Sequence, residues 1–149
     1  MSERLDEIAK KYLSKGYRDV EYAFVGYSLG ALVGSKWIWR GSRESSGYSA
    51  SMMISVSGRL KYLPNRFSWF CEEVKPEIQK TFKKISENPE KALLYTIWGD
   101  RDGLVPEKSV HIQGDAEREL TVKGWGHGGI LFSSEVQEKI AFWLSQRES

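Results

Sequence analysis

A serine framed by glycines, Gly26-Tyr27-Ser28-Leu29-Gly30, stands between an apolar run of strand type, Tyr22-Ala23-Phe24-Val25, and an apolar run of helix type. This is the strand-turn-helix setting in which a hydroxyl is thrust out of a tight turn, and glycines on either side leave room for the chain to fold back on itself. A serine so placed stands at the positive end of a helix, with the Leu29 N–H aimed at any oxyanion formed on it. Two further segments carry polar groups just past apolar runs. Ala92-Leu93-Leu94-Tyr95-Thr96-Ile97-Trp98 ends at Gly99-Asp100-Arg101-Asp102-Gly103, which makes Asp102 a candidate orienting acid. Glu119-Leu120-Thr121-Val122 runs into Gly124-Trp125-Gly126-His127-Gly128-Gly129, where a histidine among glycines is a candidate base. Each residue also has a plainer reading: Ser28 as a helix cap, the aspartates as turn formers, His127 as an exposed loop residue. Their order and their common placement at strand ends favour chemistry in which all three take part.

The order Ser, Asp, His is the one a serine hydrolase on a parallel α/β sheet requires. In these residues the chain resembles the α/β-hydrolases, from about residue 20 to 144. The stretch Gly124-Trp125-Gly126-His127-Gly128-Gly129-Ile130-Leu131-Phe132-Ser133-Ser134 is similar to the histidine loop of the small bacterial lipases and esterases that lack a large cap. In such proteins the acid sits in a loop like Asp100-Arg101-Asp102-Gly103-Leu104-Val105-Pro106, usually as the second aspartate. The resemblance implies Ser28 as nucleophile, Asp102 as acid, His127 as base, and a small-molecule or lipid ester as substrate.

Such a site needs a sheet beneath it. Leu5, Ile8, Ala9, Tyr12 and Leu13 fall at helical spacing, with Ser2 as a possible cap and Gly16 as a stop. After Ser28, the residues Leu32, Val33 and Ile38 continue an apolar helical face. Gly41 to Ser49 reads as a loop, and Ala50 to Val56 as a strand covered on both faces. Between residues 59 and 90, Pro76 suits a first helical turn with Ile78, Phe82 and Ile85 on one face. Phe67-Ser68-Trp69-Phe70 is either a flap over the site or the anchor of a crossover helix. Leu93 to Trp98 and residues near Glu117 to Val122 supply the third and fourth strands, and Phe132 to Gln146 a closing helix. Alternating strands and helices predict an α/β fold in a single domain, 1–149, a parallel sheet of about four strands with helices on both faces, and the resemblance implies that this is a truncated α/β-hydrolase fold.

The resemblance also has a gap. The family places several strands before the nucleophile strand, and a loop among them supplies a second oxyanion N–H. Here roughly twenty residues precede that strand, mostly helical in pattern. The turn at Gly16 to Arg18 enters the strand at its other end, roughly 20 Å from Ser28. Two expectations follow: an incomplete oxyanion site, and an exposed edge at residues 21–26 open to a homodimer or a partner chain. A weakly active half-domain serving as an interaction module is the alternative function.

Composition narrows the remaining classes. With 22 basic and 20 acidic residues and no dense basic block, nucleic-acid binding has little electrostatic support. The Asp-x-Asp-Gly spacing touches a calcium-loop pattern, but Leu104 occupies the next ligand position, so no metal is expected, and no cofactor. The lone Cys71 excludes an internal disulfide. A polar, acidic N-terminus and the absence of a long apolar run predict no secretory signal and no membrane span, hence a cytoplasmic protein.

Overall fold

The structure, a computed structural model, describes residues 2–18, 20–28, 30, 31, 34, 48–57, 80, 84, 87, 93–105, 107 and 116–146. The Leu29 assignment, the helical face at Leu32, Val33 and Ile38, the aromatic segment at 67–70 and most of the helix from Pro76 lie outside the described residues.

Helix α1 (Ser2–Leu13) stops where Gly16 adopts φ 91, a left-handed conformation that a residue with a Cβ takes up only at a cost. Four strands follow: β1 (Val20–Tyr27), β2 (Tyr48–Val56), β3 (Leu93–Gly99) and β4 (Glu119–Val122). They form one parallel sheet in the order β1-β2-β3-β4, so each strand lies beside its predecessor in sequence. The α/β class expected from the alternation is what the chain adopts. Strand β2 begins at Tyr48, inside the segment expected to be loop. The closing helix also differs: a 3-10 turn, Ile130–Phe132, comes first, and helix α2 runs Ser134–Ser145 with Ser133 at its N-cap. Ser133 makes no side-chain cap bond there.

Strand β3 is buried from Leu94 onward and β2 from Met52 onward, as expected of strands covered on both faces. On one face, Met52, Ile54 and Val56 join Tyr95, Ile97 and Val122 beneath Val136 and Trp143 of α2. The Tyr95 and Trp143 rings lie 4.7 Å apart between centroids. Burying each of these large side chains contributes about 1.5–3 kcal/mol. On the other face, Gly26 and Phe24 of β1 meet the helical residues Ala31 and Gly34: a Cβ on Gly26 would stand 2.5 Å from the Ala31 Cα. Helices therefore cover both faces.

Strand β1 ends the sheet among the described residues, and its burial alternates, with Glu21, Ala23 and Val25 exposed. No helix among the described residues is long and apolar enough to cross a membrane.

Candidate active site at the strand ends

All four strands point their C-terminal ends the same way, and Ser28, Asp102 and His127 each follow one of them. Ser28 closes β1. Its backbone is left-handed, φ 50, unusual for a residue with a Cβ and costing about 1–2 kcal/mol. The Ser28 N–H donates to the Val56 carbonyl at 2.9 Å and its own carbonyl accepts from the Ala31 N–H at 3.1 Å, so the neighbouring strand and the following helix hold the strained turn from both sides. The requirement for glycine proves uneven. Gly26 has no room for a side chain, whereas a Cβ on Gly30 would meet nothing within 4 Å.

Asp102 lies in the turn after β3, its side chain fully buried. One carboxylate oxygen, Oδ1, accepts from the Leu104 and Val105 N–H groups, both at 3.0 Å. The other, Oδ2, stands 2.9 Å from His127 Nδ1. The turn is fixed in its own right, because the buried Trp98 indole N–H donates to the Val105 carbonyl at 2.8 Å. Asp100 serves a different end. Its Oδ1 accepts from the Gly124 N–H at the surface, and the Arg101 N–H donates to the Trp125 carbonyl at 3.1 Å, so this segment pins the acid turn to the histidine loop. Gly99 makes that approach possible, since a Cβ there would strike the Trp125 carbonyl.

His127 completes the line. Its side chain is 16% exposed, between solvent and the buried carboxylate, and its Nε2 stands 2.8 Å from Ser28 Oγ. An imidazole that donates Nδ1–H to Asp102 keeps a free lone pair on Nε2, which can accept the Ser28 hydroxyl proton. The structure thus brings together the three side chains singled out in the sequence. Among the described residues no cluster of three or more His, Cys, Asp or Glu could hold a metal.

One residue of the site went unread in the sequence. The Tyr27 hydroxyl donates to the His127 main-chain carbonyl at 2.7 Å, and its ring lies 5.3 Å from the imidazole between centroids. Burial first, and the Asp102 charge second, push its phenol above the ordinary tyrosine value. Its partner is a backbone carbonyl a hundred positions away, for which side-chain pattern gives no signal.

No protein-family model matches the chain, and no curated protein matches it. Among solved structures it is similar to a crystal structure described as a "putative hydrolase" of Agrobacterium vitis S4, with 12% sequence identity and a TM-score of 0.46. The similarity covers 83% of this chain and 60% of that one, so the chain spans less than two thirds of the length of the protein it matches.

Proposed function

We propose that the chain is a serine hydrolase of carboxylic esters, a reading carried by the unbroken line from Ser28 Oγ through His127 to buried Asp102. Ser28 Oγ attacks the ester carbonyl carbon while His127 Nε2 takes the hydroxyl proton. The carbonyl π pair moves onto oxygen, and the Leu29 N–H is the donor assigned to that oxyanion. The C–O bond to the alcohol then breaks, and His127 returns the proton to the departing oxygen, leaving an acyl group on Ser28. Water repeats the cycle on the acyl-enzyme and releases the acid. Asp102 holds the imidazole in the required tautomer and stabilises its cation without itself becoming protonated. Leu104, Leu131 and Phe132 stand exposed on the segments that carry Asp102 and His127, which favours an ester with an apolar acyl or alkyl group, small or lipid.

The reading is tested by hydrolysis of short p-nitrophenyl esters by the parent, Ser28→Ala and His127→Ala proteins. It predicts that both variants lose activity by orders of magnitude; equal rates in all three would refute it.

The exposed strip on β1 favours a second reading, a weakly active half-domain completed by association along residues 21–26, whether with a second copy or another chain. Val25 is 44% exposed on this strand, which ends the sheet among the described residues. Sedimentation equilibrium at micromolar protein, with Val25→Lys as control, is expected to give a parent dimer and a monomeric variant. A strictly monomeric parent would exclude self-association.

A further inference from the structure

The loop that presents His127 contains Gly124, Gly126, Gly128 and Gly129, a composition with much backbone freedom to lose on folding. A base that must meet Ser28 Oγ within hydrogen-bond reach needs that freedom removed. Several bonds constrain the loop, but they tie it to the acid turn or to itself. Gly124 N–H reaches Asp100, the Trp125 carbonyl is held by Arg101, and the Gly126 carbonyl accepts from Gly129 and Ile130. The ring-nitrogen bonds to Asp102 and Ser28 hold the imidazole, and none of these bonds is made by the main chain of residue 127 itself. Among the described residues, Tyr27 ties that main chain to the nucleophile strand. It belongs to the strand that delivers Ser28, and its hydroxyl grips the carbonyl of residue 127 itself.

We infer that Tyr27 is a positioning residue, locking the His127 main chain to the nucleophile strand so that Nε2 stays in reach of Ser28 Oγ. The role rests on the proposed hydrolase reading for its kinetic effect, though not for its effect on the histidine. The ring, tilted 36° to the imidazole, limits swing of the histidine on that side, while the hydroxyl sets its height. These two contributions are separable, because Tyr27→Phe keeps the ring and removes only the hydroxyl.

The test compares parent and Tyr27→Phe by ester kinetics and by NMR of isotope-labelled histidine. The chain has two histidines, His111 and His127, so a His111→Gln variant assigns the signals. The expected result is a fall in kcat of about tenfold with KM unchanged, together with altered His127 ring-nitrogen shifts. Unchanged His127 resonances overturn the role whatever the rate does, and so does a parent-like kcat in a parent that hydrolyses esters. A parent with no esterase activity whose His127 signals still respond to Tyr27→Phe would refute the hydrolase reading and keep the positioning role. Should Tyr27→Phe fail to fold, the parent alone decides: a slowly exchanging Tyr27 hydroxyl proton with contacts to the residue-127 loop supports the tie, and its absence overturns it.

Discussion

Replacing Asp102 with asparagine exchanges one carboxylate oxygen for an NH2 group and changes little else in size. In the parent, Oδ1 accepts two backbone N–H groups, from Leu104 and Val105, while Oδ2 accepts one proton from His127. The amide has a single acceptor oxygen and must serve one side. Turning it toward the histidine would leave two N–H groups facing an NH2, a penalty of about 1–3 kcal/mol for each buried donor left unpaired. The oxygen therefore stays with the backbone and the NH2 faces Nδ1, which must then be the acceptor. The imidazole proton moves to Nε2, and that nitrogen now donates to Ser28 instead of accepting from it. A base in the wrong tautomer lowers kcat by on the order of 10⁴, equivalent to roughly 5.5 kcal/mol on the barrier. KM should change little, since the buried carboxyl lies behind the imidazole. Folding should also survive, because both backbone bonds persist with only their charge assistance lost. The control is Asp100→Asn, which keeps an acceptor for the Gly124 N–H at an exposed site and should stay within about threefold of the parent. Steady-state hydrolysis of a p-nitrophenyl ester measures both. An Asp102→Asn protein within tenfold of the parent, or an Asp100→Asn protein damaged as severely, would refute the reasoning.

Two other outcomes follow from the same geometry. Gly26→Ala drives a Cβ to 2.5 Å from the Ala31 Cα, backbone that cannot step aside, so thermal denaturation should show a loss of about 1–3 kcal/mol; Gly30→Ala enters open space and should melt within a few tenths of a kcal/mol of the parent or above it. Because the folded state holds the Tyr27 proton to higher pH than the unfolded chain does, the unfolded state binds fewer protons above about pH 10, and stability falls as pH rises through that range. Melting temperatures taken from pH 9 to 11 should therefore decline more steeply for the parent than for Tyr27→Phe, and parallel declines would assign the alkaline loss elsewhere.

The four strands were legible because each is an apolar run ended by a glycine or a polar turn, and a parallel sheet covered on both faces demands such runs at β2 and β3; their order in the sheet was not. That Ser28, Asp102 and His127 would meet was legible for a related reason: each sits where a run ends, and parallel strands bring those ends to one edge. What stayed hidden depends on distances that no local pattern encodes. Gly26 and Gly30 look equivalent in the sequence, yet only Gly26 abuts the Ala31 backbone. Phe132, where the closing helix reads as starting, belongs instead to the 3-10 turn Ile130–Phe132, because Ser133 turns to an extended backbone before α2 begins. Tyr27 looked like any residue between glycine and serine, since its partner is a main-chain carbonyl.

The central claim, that Ser28 is a nucleophile activated by His127, is tested most directly by treating the protein with a fluorophosphonate and mapping the modified residue by mass spectrometry. The account predicts one adduct, on Ser28, formed readily by the parent and slowed by orders of magnitude in His127→Ala. An adduct on another residue, or equal labelling of the parent and His127→Ala, would contradict it.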